Sequence, residues 1–353
     1  MGNRLLAAEN EKTMNDAADI LAKAVDSGQV TSAVLHVTTP RATFIRSFGK
    51  AKSKDAMFLL GSISKPICVT ALMTLFDQGK FGLDDPVKKF IPKFTGDGRD
   101  QVTIRHLLTH TSGLADQLPE NNELRKNHAS LAQFAEHAAV APLSFAPGSR
   151  YQYSSMGILL ASQIAQQLSG LSIHELVERS VFQPLKMEHS ALGLGQFKID
   201  DMIPCQTEHA APESGGGDPS ARDWDWNSEY WRKLGAPWGG VHASAPDLAR
   251  FLDEFLFARG VVVKPATAKL MTTNQNAPGI HPRGLGFDVG KAAASTGCSE
   301  KSFGHTGSTG TLVWADPATQ ATCVILTSLP AAGVHPHPRE LAGQAIAASL
   351  QNH

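Results

Sequence analysis

Residues 61–66 read G-S-I-S-K-P and stand directly before a strongly apolar run. Ser62 and Lys65 are three positions apart, a spacing that places two side chains on one side of a helix. A second Ser-x-x-Lys, Ser47 to Lys50, occurs fifteen residues earlier. The pattern alone therefore does not separate a nucleophile and its proton acceptor from a serine that begins a helix.

The run after Ser62 predicts an amphipathic helix. If Ser62 caps it, the serine lies at the positive end of the helix dipole, where a developing oxyanion is stabilised. Gly79 and Gly82 then end the helix. The apolar positions that share one face are Ile67, Ala71, Leu72, Leu75 and Phe76.

The flanking segments predict an α+β fold. Residues 32–39 and 42–49 read as a β-hairpin, whereas the apolar segments from about 80 to 230 are helical or irregular. The chain ends are expected to form one antiparallel sheet flanked by helices, with a ligand site in the cleft beside an inserted helical part. The expected divisions are 1–78 with 232–353 for the sheet domain and 79–231 for the all-helical insertion. The other predicted elements are helices at 12–27, 246–256 and 338–350, and strands at 284–290, 301–306, 310–315 and 321–328.

Composition narrows the class of partner. The 353 residues include 32 Lys and Arg against 33 Asp and Glu, with no dense basic run, so neither nucleic acid nor an acidic membrane is an expected partner. No apolar stretch is long enough to span a bilayer, and no signal peptide is visible, which predicts a cytoplasmic protein. The four cysteines are widely spaced, as expected for free thiols. The expected partner is a small molecule.

A serine hydroxyl needs a base and an oxyanion site from other parts of the chain. Three stretches could supply them: R-H-L-L-T-H-T-S-G-L at 105–114, Y-Q-Y-S-S-M-G at 151–157 and G-H-T-G-S at 304–308. No G-x-S-x-G occurs, which argues against an α/β-hydrolase elbow. His106 and His110 are expected to be structural, and no metal site is predicted.

In number and order these motifs resemble the serine β-lactamase and penicillin-binding superfamily. The closest resemblance is to its class C β-lactamase-like branch, which contains family VIII carboxylesterases, D-aminopeptidases and D,D-carboxypeptidases. It extends over nearly the whole chain and implies a β-lactamase/transpeptidase-like fold. Further motifs that carry it are L-D-D-P-V at 83–87, G-G-V-H-A-S-A-P-D-L-A-R-F from Gly239 and G-L-G-F at 284–287.

The resemblance implies roles for individual residues. Ser62 matches the acylated nucleophile, Lys65 the lysine that shares its proton, and Tyr153 the general base. Lys65 is expected to lower the phenol pKa of Tyr153, with His305 as a second contributor. The backbone N–H groups of Ser62 and Ser308 match the oxyanion hole.

Two departures from the family pattern concern substrate choice. Ser155 replaces the asparagine of Y-x-N, and His305, Thr306 and Gly307 stand where β-lactamases of this branch have K-T-G. These positions are candidates for substrate binding, but a mostly neutral histidine holds a carboxylate less well than lysine does. An uncharged ester therefore fits better than a β-lactam.

Four of the five tryptophans, together with Tyr230, fall close together before the G-G-V-H segment. They form either ordinary loop packing or the wall of a substrate pocket, and Trp238 is the candidate for substrate contact. The four are Trp224, Trp226, Trp231 and Trp238.

These features predict a serine hydrolase that cleaves small or medium carboxylic esters through an acyl-enzyme on Ser62. No metal or organic cofactor is expected. A weak β-lactamase or a D-amino-acid peptidase remains an alternative, as does a catalytically silent ligand-binding protein of the same fold. The oligomeric state is not predicted.

Overall fold

The computed structural model describes residues 2–293 and 295–351. The helices are α1 Gly2–Asp26, α2 Ser64–Asp77, α3 Ile104–Leu108, α4 Asn121–Lys126, α5 Leu131–Val140, α6 Ser155–Ser169, α7 Ile173–Val177, α8 Glu229–Leu234, α9 Ala245–Leu256, α10 Pro265–Met271 and α11 Pro338–Gln351. The strands are β1 Ser32–Thr38, β2 Thr43–Gly49, β3 Phe58–Leu59, β4 Ser190–Leu192, β5 Val241–Ala243, β6 Asp288–Val289, β7 Phe303–Gly307, β8 Thr311–Asp316 and β9 Ala321–Thr327.

A six-stranded antiparallel sheet forms the larger of the two sheets. Its strand order is β2-β1-β9-β8-β7-β6, so the first hairpin of the chain pairs with strands from the last quarter. Leu35 faces Ile325 across the β1–β9 ladder. The predicted hairpin and the sheet built from both chain ends are confirmed.

Alternating side chains divide the core between the two faces of this sheet, since successive residues of a strand point to opposite sides. Leu35 and Ile325 pack with α1 and α11 on one face. Val34 and Val324 belong to the larger core on the other face, where α9 packs. The terminal helices therefore cover one side of the sheet, as predicted.

The larger core continues into the helical segments. It joins Val324 of the sheet to Phe134 of α5 and Leu159 of α6. Helix α2 packs against α6 and α7, while β4 pairs with β5 in the small sheet β3-β5-β4. Contacts thus cross the expected divisions at 78/79 and 231/232, and these boundaries stay a prediction.

The predicted strand at 284–290 is shorter in the structure, because a tight turn replaces its first half. Gly284 N donates to Phe287 O at 3.0 Å, and Gly286 has a φ of +83°. Only Asp288 and Val289 pair with β7. The small sheet was not predicted, since strands of two or three residues are too short to show alternation.

The described residues contain no helix that is long and apolar enough to cross a membrane. The four cysteines are free and buried, as expected.

Two threonines fasten the β7–β8 turn to the chain just before Ser62. Thr309 Oγ1 donates to Leu59 O and Thr311 Oγ1 donates to Leu60 O, each at 2.7 Å. Both hydroxyl groups and both carbonyl groups of these contacts are buried, where polar groups most need a hydrogen-bond partner. Arg339 of α11 reinforces the turn from behind by donating to the carbonyl oxygens of Gly307 and Thr311.

Gly307 is required at this contact because a Cβ there would overlap the Leu60 carbonyl oxygen and the Thr311 hydroxyl. We therefore expect Gly307→Ala to lower the free energy of unfolding by about 3 kcal/mol, as for an overpacked core. Gly82→Ala is the control, since its Cβ would meet nothing nearer than Asp85 at 3.8 Å. Urea unfolding curves measure both. Equal midpoints for the two variants would contradict the expectation.

Candidate active site

Ser62 lies in a short 3₁₀ turn, Gly61–Ile63, that leads into α2. The helix itself begins at Ser64, with Ile63 as its N-cap, so of the two interpretations left open by the sequence, Ser62 as a helix cap does not hold. The turn satisfies the first N–H of the helix, because Ser64 N bonds to the carbonyl oxygens of Gly61 and Ser62. The Ser62 hydroxyl is therefore not needed as a cap.

The Ser62 hydroxyl instead bonds to Lys65, whose Nζ lies 2.9 Å from Ser62 Oγ. Lys65 is completely buried, and its Nζ also donates to Trp238 O at 2.9 Å. Burial lowers the pKa of Lys65 to about 7, although the Asp116 carboxylate opposes this shift. A large share of the lysine is thus a neutral amine near pH 7 and can accept the serine proton.

Tyr153 is mostly buried and lies in the extended segment that precedes α6. Lys65 Nζ is 4.7 Å from the centre of its ring. Burial raises the pKa of Tyr153 and outweighs the charge of Arg283 and the hydrogen bond from Ser62. The expectation that its pKa is lowered is therefore wrong, and the phenol keeps its proton at neutral pH.

The segment of Tyr153 is fastened to His110, which belongs to the R-H-L-L-T-H-T-S-G-L motif. His110 Nδ1 accepts from Ser154 N at 3.2 Å, and its ring packs 4.6 Å from that of Tyr153. His106 Nδ1 accepts from Thr103 N at the start of α3. Both histidines make structural contacts, as expected.

The backbone of Ser308 lies beside the Gly61–Ser62 backbone. A Cβ placed on Gly61 would lie 3.0 Å from Ser308 N, and Gly61 has a φ of +57°, so the close approach needs glycine. Ser308 N donates to no acceptor within the part of the chain that the structure describes. The predicted pair of oxyanion donors is thus brought to one place.

Ser155 contacts a carboxylate rather than Lys65. Its N–H and its hydroxyl both donate to Asp116 Oδ1, at 2.8 and 2.6 Å. The single hydroxyl proton is therefore used, and Ser155 does not replace the asparagine of the family pattern as a partner of the lysine. Asp116 was not predicted, since nothing in the sequence marks an aspartate near residue 155 in space.

His305 is buried behind Tyr153, with its ring centre 6.1 Å from that of the tyrosine. Its Nδ1 donates to Thr306 O at 2.7 Å, so Nε2 accepts from Arg283 Nη2 at 2.8 Å. Burial lowers the pKa of His305 to about 4. Both ring nitrogens are occupied, and the expected direct contact of His305 with substrate is therefore wrong.

Arg283 is a second site residue that sequence reasoning missed. It is fully buried, forms an ion pair with Asp288, and its guanidinium carbon is 5.6 Å from the centre of the Tyr153 ring. Its position follows from the turn at Gly284–Phe287, which no local pattern marks as part of a site.

A cavity of about 180 Å³ opens beside Ser62. Three of the four clustered tryptophans line it, which supports the pocket interpretation over plain loop packing. Thr306 and Gly307 do not line it, although Ser308 does. The lining residues are Gly61, Ser62, Asp116, Gln117, Arg125, Tyr153, Ser155, Ala211, Glu213, Ser214, Trp226, Trp231, Trp238, Gly239 and Ser308.

Across residues 2–293 and 295–351, no three His, Cys, Asp or Glu side chains are grouped so that they could hold a metal ion. The groups gathered around the Ser62 hydroxyl are the Lys65 amine, the Tyr153 phenol and the backbone N–H of Ser308.

A serine bonded to a buried amine, next to a tyrosine and a free backbone N–H, is the constellation of a serine hydrolase. A sequence model described as Beta-lactamase matches residues 17–346. The chain belongs to the Beta-lactamase family, and the resemblance inferred from its motifs is confirmed.

Two curated relatives illustrate the range of this similarity. Esterase EstB of Burkholderia gladioli is 35% identical over 157 residues, which is 40% of this chain and 40% of that protein. A protein of Escherichia coli K12, named provisionally as a D-alanyl-D-alanine carboxypeptidase, is 25% identical over 92% of this chain and 84% of its own length. The chain thus matches less than half the length of the esterase but most of the second relative.

Solved structures share the fold over nearly the whole chain. EstCE1, described as a hydrolase with promiscuous acyltransferase activity, has a TM-score of 0.76 at 22% identity and covers 96% of this chain and 99% of its own. A variant of simvastatin synthase from Aspergillus terreus has a TM-score of 0.77 at 20% identity, covering 99% and 98%. At these identities the likeness establishes the fold alone.

The low pKa of Lys65 predicts a pH dependence. If neutral Lys65 accepts the serine proton, kcat/KM rises about tenfold per pH unit below pH 7 and levels off above it. Lys65→Met should lower kcat/KM by about 10²- to 10⁴-fold. Lys50→Met, in the exposed Ser47–Lys50 twin, is the matched control and should leave the rate unchanged. A flat profile through pH 7 would contradict the role of Lys65.

The contacts of His305 predict the result of restoring the K-T-G sequence. His305→Lys places a second cation against Arg283, while Asp288 is already paired with that arginine. We expect a loss of about 3 kcal/mol in unfolding free energy, since the new charge lacks a partner of its own. His305→Gln keeps an acceptor for Arg283 and is the control in thermal unfolding. Equal stability of the two variants would count against this account.

Proposed function

We propose that the protein hydrolyses carboxylic esters through an acyl-enzyme on Ser62. The observation that carries the proposal is the 2.9 Å contact of Ser62 Oγ with the amine of the fully buried Lys65. Because burial brings the pKa of this lysine to about 7, the amine is matched to accept a proton at neutral pH.

Acylation begins when Lys65 takes the Ser62 proton and Oγ attacks the ester carbonyl carbon. The negative charge that develops on the carbonyl oxygen is placed between the N–H groups of Ser62 and Ser308. Tyr153 keeps its phenolic proton, so it acts as the acid that protonates the departing alkoxide. The proton then passes from Lys65 to Tyr153, which restores both groups.

Deacylation uses the same groups in reverse. Water attacks the acyl carbonyl carbon, its proton goes to the Lys65–Tyr153 pair, and Ser62 Oγ leaves with a proton returned from that pair. The carboxylic acid is released. No step needs a group that the chain lacks.

The cavity supports a small ester as substrate. Its volume of about 180 Å³ is below the range of about 300–1,000 Å³ that is usual for drug-sized ligands. Aromatic rings from Trp226, Trp231 and Trp238 supply an apolar wall. The esterase name of the Burkholderia relative points the same way.

Hydrolysis of an amide bond is the second candidate. The Escherichia coli relative, provisionally named a D-alanyl-D-alanine carboxypeptidase, aligns with 92% of this chain. A weak β-lactamase activity is part of this alternative. Against it, His305 holds no charge that would bind the carboxylate of a β-lactam. A catalytically silent binding protein is disfavoured by the intact Ser62–Lys65 contact.

The nucleophile is tested by intact-mass analysis after treatment with a fluorophosphonate. We expect one covalent adduct on the wild type and none on Ser62→Ala, while Ser47→Ala, which changes the serine of the twin motif, still forms the adduct. An unmodified wild-type protein would leave the silent binding protein as the better interpretation.

The bond that is cleaved is tested with three substrates: a p-nitrophenyl ester of a short acid, nitrocefin and a D-alanyl amide. We expect kcat/KM to be highest for the ester, because its alkoxide leaves more readily and no substrate carboxylate needs a cation. Turnover of the amide with an inert ester would overturn the proposed esterase activity in favour of a peptidase.

A further inference from the structure

Asp116 brings a carboxylate into the cavity that contains Ser62. It lies in the segment after α3 and is held by Ser155, which donates twice to its Oδ1. Its Oδ2 has no hydrogen-bond partner among the described residues, and no Lys, Arg or His nitrogen there lies within 4.0 Å of the carboxylate. A carboxylate without a cationic partner is thus available to a ligand.

The nearby cations do not neutralise Asp116. The Arg125 guanidinium lies 3.7 Å from the centre of the Trp231 ring, and its Nη1 donates to Glu213 O. The carboxylates that act on the charge of Arg125 are Glu213 and Asp225 rather than Asp116. The charge of Asp116 acts on Lys65, but burial keeps a large share of the Lys65 amine neutral near pH 7. Asp116 therefore gives its part of the cavity a negative potential.

Asp116 is also close to the reacting atoms. Its charge acts on Lys65, whose Nζ is 2.9 Å from Ser62 Oγ, and Ser155 is only two residues beyond Tyr153. A substrate group that meets Asp116 is therefore attached near the scissile carbonyl. An uncharged ester leaves Oδ2 to water, whereas a positively charged donor would form a charge-assisted hydrogen bond with it.

We infer that the cavity selects esters that carry an ammonium group near the scissile carbonyl, with Asp116 as the specificity-determining residue. The simplest substrates of this class are esters of α-amino acids. The inference rests on the proposed ester hydrolysis and adds a substrate class to it. The ammonium group donates to Oδ2, while Oδ1 stays bonded to Ser155.

The test compares an alanine ester with an uncharged ester of the same shape. Benzyl isobutyrate has a methyl group where the benzyl ester of alanine has its ammonium group, so charge is the main difference. The benzyl esters of both alanine enantiomers are used, and the benzyl alcohol that is released is measured. The pH is about 7, below the ordinary α-amino pKa of about 8, so that the amino group is charged. For the wild type we expect kcat/KM to be at least about tenfold higher for one alanine enantiomer than for isobutyrate.

Asp116→Asn isolates the charge. The amide oxygen can still accept both Ser155 bonds, while the amide nitrogen replaces Oδ2. The variant also changes the field at Lys65, but this alters the rate for both esters, so the ratio of their kcat/KM values is the readout. We expect that ratio to fall about tenfold in Asp116→Asn, and to fall in the wild type in 1 M salt, which screens partly exposed charges.

Glu213→Gln is the matched control, since it removes a different carboxylate from the rim of the same cavity. Its ratio should stay near that of the wild type. An unchanged ratio in Asp116→Asn, a wild type that prefers isobutyrate, or a drop in Glu213→Gln alone would each overturn the inference. Failure to hydrolyse any of the esters would instead refute the proposed esterase function, so the two failures are distinct.

Discussion

The hydrogen bonds from Thr309 and Thr311 to the carbonyl oxygens of Leu59 and Leu60 are the constraint on which the site depends. They join two parts of the chain that are about 250 residues apart, and they place Ser308 N next to the Gly61–Ser62 backbone. Neither part could form an oxyanion site alone. The six-stranded sheet holds one partner and the small sheet holds the other.

Burial then assigns the acid and the base. The same low-polarity surroundings disfavour the charged forms of Lys65 and Tyr153, which lowers the pKa of the amine and raises that of the phenol. Near pH 7 a large share of the lysine is therefore neutral and can accept a proton, whereas the tyrosine keeps its proton and can donate it. The charge of Arg283 adds to the lowering of the Lys65 pKa and opposes the rise of the Tyr153 pKa.

The number and order of several motifs, and their resemblance to one family, indicated Ser62, Lys65 and Tyr153 as the catalytic candidates. Alternation predicted the strand that ends next to Ser308. The positions of Asp116 and Arg283 could not be predicted, because each depends on a turn and on a contact between distant segments. The direction of the Tyr153 pKa was also missed, since neighbouring charges can be guessed from motifs but the extent of burial cannot.

The turn that holds Ser308 depends on a residue that follows it in the sequence, Arg339. It lies in α11, the last helix, yet its guanidinium braces the carbonyl oxygens of the turn that holds Ser308. Ser62 and Lys65 precede Arg339 in the sequence, so a ribosome makes them first. Until the helix that contains Arg339 has been made and has docked, the turn lacks these two hydrogen bonds. A chain that stops before Arg339 therefore carries the serine without this support for its oxyanion site.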